Sequence, residues 1–465
     1  MTARTARLRA ALRGGGPWRT LSAAQLLAGS FAVLIGLGTI GFRALPGLYT
    51  GEPLGWLDAL FTATSAVCVT GLIVVDTATF FTGWGQAYVL VLIQLGGLGM
   101  LTFSTLLLSA LGRRLSLRQE DVARTAAGPA VGLDPVRLTR HVVLFTLGIE
   151  AVGAALLYAL WVDDMGAVGA VWPALFHSVS AFCNAGFSTF SDSLVGFQRD
   201  PGALAVVMAL VVLGGIGFLV LEEVTRAGRQ PGEGRARLSV HTRLVLATTA
   251  VLVVGGWALF TAFEWDRTFA DLPALDRVVN GLFLSVTART AGFNTIDYAA
   301  AAPNTNFLTV LLMSVGGSPG STAGGIKTTT AALLVLLAWA RLRGREDVVL
   351  WGRSVPEGTL QQAVGLFVIA FALVTAAIFV LVSSELSDSP AGERAFLAFM
   401  FEAASAFNTV GLSMGVTAEL SAVGRWTCVV LMFVGRVGPV TFAAALSRRL
   451  LRAPFRYAAE DVGIG

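Results

Sequence analysis

The chain has 465 residues, 55% of them hydrophobic and only 13% charged, with a mean hydropathy of +0.73, whereas a soluble domain carries about 25% charged residues. A water-soluble globular protein is thereby excluded. The formal charge of +4 does not point to nucleic acid, because the basic residues lie scattered between apolar runs, as in the loops of a membrane protein.

Taken in chain order, the first segment carries Arg4, Arg7, Arg9, Arg13 and Arg19 ahead of an apolar stretch. That layout resembles a signal peptide, but no small-residue cleavage site stands out and the repeat described next needs this helix. Apolar periodicity and length predict outer helices over 22–42, 141–161, 240–262 and 361–384, and inner helices over 86–111, 203–225, 306–340 and 424–447. Between each pair lies an apolar stretch too short to cross a bilayer, at 57–67, 172–182, 278–288 and 395–406. Such half-length stretches are expected to be re-entrant.

Each half-length stretch runs into a short loop ending in glycine and then Leu or Phe: Gly71-Leu72, Gly186-Phe187, Gly292-Phe293 and Gly411-Leu412. The four glycines lie 115, 106 and 119 residues apart. A second glycine cluster follows each: Gly96-Gly97-Leu98-Gly99, Gly214-Gly215-Ile216-Gly217, Gly316-Gly317 and Gly435-Arg436-Val437-Gly438. Two motifs in register make this an internal repeat. The expected fold is an all-α membrane protein of four concatenated helix/pore-loop/helix units, pseudo-fourfold around one central pore. The units are expected at 20–111, 112–225, 226–340 and 341–449, with a tail at 450–465.

Most basic residues, among them Arg113, Arg114, Arg226, Arg235, Arg341, Arg345 and Arg448, fall at the termini or between units. The positive-inside rule places those segments, and so both termini, in the cytoplasm. Irregular backbone at membrane depth is tolerated only where protein buries it or it lines water. Four such loops around one axis therefore make a pore, whose carbonyls replace a cation's hydration shell. The lining is expected to be the backbone of Val69-Thr70-Gly71, Asn184-Ala185-Gly186, Thr290-Ala291-Gly292 and Thr409-Val410-Gly411, with glycine supplying a positive φ. No carboxylate lies in these loops, which favours a large monovalent ion over calcium or magnesium.

These residues resemble the Trk/Ktr/HKT superfamily of potassium transporters over essentially the whole chain. The most specific segments are Arg289-Thr-Ala-Gly-Phe293, Gly316-Gly-Ser-Pro-Gly-Ser-Thr-Ala-Gly-Gly-Ile-Lys327 and Gly435-Arg436-Val-Gly438. Lacking two additional N-terminal helices, the chain looks like the Ktr-type membrane subunit. The resemblance implies potassium at the four glycine-bearing loops and no organic cofactor, and leaves sodium open as an activator. It further implies a homodimer in the plasma membrane resting on a cytosolic ring of nucleotide-binding RCK subunits. It makes Gly316, Gly317, Ser318, Pro319, Gly320, Ser321, Thr322, Ala323, Gly324 and Gly325 a gate under the filter, in an inner helix that already reads as broken. Lys327 closes that segment. The resemblance also places Arg436 in the pore below the filter, as a charge barrier to cations.

Arg289 is expected to support the filter from behind, with Glu402 as a candidate carboxylate partner; pairing with Glu402 is the alternative to a pore-facing role for Arg436. His177 is read as a packed, hydrogen-bonded residue. The segment Gly320–Thr328 departs from a phosphate-binding loop because Ile326 separates Gly325 from Lys327. A coupled transporter with alternating access is the alternative to a pore, and an enzyme is not expected, since the apolar helices carry no paired catalytic groups.

Overall fold

The computed structural model describes residues 23–112, 135–229, 238–385 and 392–438. The expected tail at 450–465, the end of the fourth inner helix and several linker arginines lie outside these residues. The chain is almost wholly helical, and one order of elements recurs along it: outer helix, pore helix, loop, inner helix.

The first passage comprises α1 (Ala23–Ala44), α2 (Trp56–Val67) and α3 (Gly83–Gly112). The second comprises α4 (Pro135–Gly169), α5 (Val171–Cys183), α6 (Pro201–Ile216) and α7 (Phe218–Arg229). In the third, α8 (Val240–Glu264) leads to α9 (Ala274–Thr287), α10 (Pro303–Met313) and α11 (Thr328–Leu342). A two-residue-per-strand hairpin, β1 (Val349–Leu350) with β2 (Arg353–Ser354), connects to α12 (Glu357–Glu385), α13 (Gly392–Asn408) and α14 (Ala422–Val437).

The stretch from Gln25 in α1, the stretch from Thr139 in α4, and α8 and α12 are each long and apolar enough to cross a membrane. Their outward faces show Leu37, Val251, Val254 and Phe371 while the pore helices between them are buried. Helices that are apolar all round satisfy their backbone internally and need no polar face, which is why the length of the apolar run predicts them well.

The second inner helix differs from the expected continuous span over 203–225. It bends by 101° between α6 and α7, at Gly217 with φ +98°. The Gly316–Gly325 segment docks against this bend: Phe218 N donates to Gly320 O at 3.1 Å, and a side chain at 217 would meet Pro319 O. Gly438, at φ +91°, is the C-cap of α14. The third inner helix is broken as expected, between Met313 and Thr328.

The ends of the outer helices where the chain passes to the pore helices form one mouth. There Glu264, at the end of α8 and fully buried, accepts from Ala302 N at 2.9 Å and from the Thr305 hydroxyl, capping the start of α10. Glu385, ending α12, does the same for α14 through Ser421 N at 3.0 Å and Ser421 Oγ at 2.6 Å. Removing Glu264 leaves buried donors unmatched, so Glu264→Ala is expected to cost about 2–4 kcal/mol. The melting temperature of the detergent-solubilised protein should fall by several degrees, and an unchanged one would contradict the cap.

Lateral contacts also close the mouth around its perimeter. Arg425 of α14 pairs with Asp58 of α2 at 2.5 Å, and Ser191 Oγ donates to Asp76 at 2.6 Å. Leu194 N donates to Asn294 O at 3.0 Å, and the Tyr298 and Phe401 rings lie 5.3 Å apart.

Candidate functional site: four loops around one axis

Each pore helix stops at the same backbone device. The residue opening each triplet is left-handed, Val69 at φ 56°, Asn184 at 60°, Thr290 at 70° and Thr409 at 50°. The glycine two positions later is left-handed again, with Gly71 at 94°, Gly186 at 69°, Gly292 at 82° and Gly411 at 94°. Positive φ at the glycines was expected from sequence. At Val69, Thr290 and Thr409 it is not, because β-branched residues resist this conformation by roughly 1–3 kcal/mol each.

Hydrogen bonds to the last turn of each pore helix hold the strained backbone. Thr70 N donates to Ser65 O at 2.8 Å, Ala185 N to Ser180 O at 2.7 Å, Ala291 N to Thr287 O at 3.0 Å and Val410 N to Ser405 O at 2.9 Å. The hydroxyls of the same four residues add a second tie. Ser65 Oγ accepts from Gly71 N at 3.1 Å and Ser405 Oγ from Gly411 N at 3.0 Å. Ser180 Oγ donates to Phe187 O at 2.8 Å and Thr287 Oγ1 to Phe293 O at 2.6 Å. Sequence reasoning missed this ring of hydroxyls. Its signal was present, a Ser or Thr immediately before Ala66, Ala181, Ala288 and Ala406.

The four loops meet in cyclic order. A Cβ on Gly71 would strike Ala185 O, one on Gly186 would lie 2.9 Å from Ala291 O, one on Gly292 would strike Val410 O, and one on Gly411 would strike Thr70 O. Each glycine thus packs on the middle carbonyl of its neighbour, and the fourth returns to the first. The second glycine clusters have a matching use: a side chain at Gly96, Gly214 or Gly435 would strike the carbonyl of Val67, Phe182 or Phe407, at the end of a pore helix. The inner helices can approach the loops only because those positions are bare.

The segment between α10 and α11 is knitted to two other inner helices, α6 and α14. Ser318 N donates to Gly215 O at 2.9 Å, Thr322 N to Gly214 O at 3.2 Å and Gly325 N to Gly435 O at 3.3 Å. It also closes on itself through Gly316 N to Ile326 O at 2.8 Å and Thr328 N to Gly317 O at 3.1 Å. Gly320 and Gly325 are left-handed, at φ 74° and 65°. Ser321 Oγ donates to Ser318 O at 2.7 Å, and a side chain at Gly324 would meet that of Thr409. Lys327 folds back on this segment, its Nζ donating to Ala323 O at 2.6 Å.

Arg436 is 1% exposed, and its guanidinium donates to Thr322 O and, at 3.2 Å, to Gly96 O. Arg289 is buried behind the third loop and reaches Gly316 O at 3.5 Å. Neither pairs with Glu402, the candidate partner for Arg289 and the alternative to a pore-facing role for Arg436. Glu402 accepts instead from Ser413 Oγ at 2.8 Å and Thr417 Oγ1 at 2.6 Å; the two hydroxyls make a guanidinium unnecessary. His177 is packed as expected, between Pro173 O at 2.8 Å and Ser188 Oγ at 2.9 Å.

Residues 30–451 match the family model described as TrkH, cation transport protein. The chain belongs to that family. Ktr system potassium uptake protein B of Vibrio alginolyticus is 40% identical over 403 residues, covering 86% of each chain. The protein of the same name in Bacillus subtilis is 37% identical over 93% of this chain and 94% of its own. The potassium/sodium uptake protein NtpJ of Enterococcus hirae is 35% identical over 96% and 98%. The crystal structure of the potassium transporter TrkH from Vibrio parahaemolyticus superposes with a TM-score of 0.73, at 18% identity, over 92% of this chain and 86% of that one. The TrkH-type helical fold, the multi-pass membrane character and a transport rather than enzymatic role follow, as the sequence resemblance implied.

Proposed function

We propose that this TrkH-family chain takes up potassium through a filter made of the Val69–Gly71, Asn184–Gly186, Thr290–Gly292 and Thr409–Gly411 backbones. The cyclic contact of four glycines with four middle carbonyls carries this reading, since it brings uncharged oxygens together from all four loops. Pore-helix C-termini, negative by their dipoles, face the same place. The units run 20–111, 112–225, 226–340 and 341–449, with the mouth outside the plasma membrane and both termini in the cytoplasm.

The Gly316–Gly325 segment is the gate, with Lys327 and Arg436 holding it shut, and Arg289 supports the third loop. Arg436 acts twice: its guanidinium fastens Thr322, and its charge opposes a cation below the filter. Lipid covers the apolar outward faces. The subunit works as a homodimer on a cytosolic RCK ring, the arrangement its family resemblance implies, and the Enterococcus relative's potassium/sodium name keeps sodium as an activator worth measuring. The test is growth of a potassium-uptake-deficient bacterium at low potassium. The wild-type chain should rescue growth and Gly71→Ser should need several-fold more potassium, at equal membrane expression. Rescue by Gly71→Ser at the wild-type concentration would mean that the loops only pack.

A further inference from the structure

The residue before each filter triplet occupies the same place in its unit: Cys68, Cys183, Arg289 and Asn408. In the second unit that place opens on a carboxyl. Glu150 of α4 is 3% exposed, and its Oε2 accepts from Gln94 Nε2 of α3 at 2.9 Å. The Cys183 thiol lies 3.4 Å from Gln94 Oε1 and 3.8 Å from Glu150 Oε1. Ser178 of the pore helix further fixes the α4 backbone through Glu150 O at 2.6 Å.

The other units show what is unusual here. In the third, Ser285 donates to Val253 O at 2.8 Å, so Val253 takes the place of Glu150. Gly38, Gly153 and Gly256 all pack on the pore helix at corresponding positions, which puts Ile35 in that place in the first unit. Gln94 lies two residues before the packed Gly96, and Val212 two before Gly214. Around Arg289 the lining is accordingly Val212, Val253 and Thr249. Of these three units only the second puts a carboxyl behind its loop, while the third puts a guanidinium there.

An ionised carboxyl buried in apolar surroundings needs a cation. Among the described residues the ion pairs are Arg226–Glu222, Arg277–Asp266 and Arg425–Asp58, and Glu150 is in none of them. Arg436, the buried cation of α14, donates to Thr322 and Gly96 and forms no ion pair with Glu150. Through Cys183 the carboxyl sits one residue from Asn184-Ala185-Gly186.

We propose that Glu150 is a positioning residue that sets the affinity of the filter for its cation: it holds the second loop through Gln94 and Cys183, its missing counter-charge is the transported ion, and Arg289 opposes it from the corresponding place in the third unit. Ion occupancy and ionisation of Glu150 then favour each other, as any two linked binding events do. The inference rests on the filter reading above, and the test separates the two.

The test is rubidium uptake by cells lacking their own potassium uptake systems and expressing the full chain. Glu150→Gln, which keeps the shape, should raise KM roughly 5- to 20-fold while the maximal rate stays within about twofold. Glu150→Asp, which keeps the charge, should recover most of the affinity. Wild-type KM in Glu150→Gln would overturn the inference. A loss of maximal rate shared equally by Gln and Asp would also overturn it, as a packing defect. Absence of rubidium uptake by the wild-type chain would instead overturn the filter reading itself.

Discussion

Gly292→Asp is expected to reduce potassium uptake to the level of cells without the chain, a loss of at least about 100-fold. Three physical effects add at this position. Gly292 has φ 82°, where any side chain is strained by about 1–2 kcal/mol. Its Cβ would collide with Val410 O and lie 3.0 Å from Gly186 Cα and 3.3 Å from Gly411 Cα, so three units would have to move apart. The aspartate would also put a carboxylate into the ring of carbonyls proposed to hold the ion. Gly292→Ala, with strain and collision but no charge, should be crippled less. Rubidium uptake normalised to membrane-inserted protein measures both, and near-normal uptake in Gly292→Asp would remove the third loop from the ion path.

Arg436→Ala is expected to act in the opposite direction, raising uptake on the order of tenfold, since removing a positive charge beside the proposed ion path lowers the barrier to a cation and about 1.4 kcal/mol suffices for that factor. The substitution also releases Thr322 and thereby the gate segment. Arg436→Lys separates the two contributions, because it keeps the charge but loses the two-pronged contact with Thr322 and Gly96. Low flux in Lys with high flux in Ala assigns the barrier to charge, and high flux in both assigns it to the hydrogen bonds. Unchanged or lower flux in a folded Arg436→Ala protein would end the barrier role.

Much of this architecture was legible because it repeats. The glycines at 71, 186, 292 and 411 identify the loops, and the small-residue run from Gly316 to Gly325 identifies the broken helix, since both are local patterns with a local physical meaning. The bend at Gly217 was not legible, because Gly214-Gly215-Ile216-Gly217 reads equally well as helix packing until Gly320 is known to dock there. The left-handed Val69, Thr290 and Thr409 run against their own preference, and only the surrounding hydrogen bonds impose it. Glu402 misled for a related reason. A carboxylate in an apolar helix suggests a buried arginine, whereas Ser413 and Thr417, 11 and 15 residues away, satisfy it.

The belt around the mouth has a mechanical consequence. Glu264 and Glu385 fasten the inner helices to the outer ones, and Arg425–Asp58, Ser191–Asp76 and Leu194–Asn294 link the units laterally. A machine that rocked to present its ion first to one side and then to the other would have to tear this hoop at each stroke. Among the described residues the far end is built differently, with one inner helix bent at Gly217 and another opened between Met313 and Thr328 into backbone-bonded chain. In the proposed reading the collar is belted and the floor is not, so the work of opening falls on the floor.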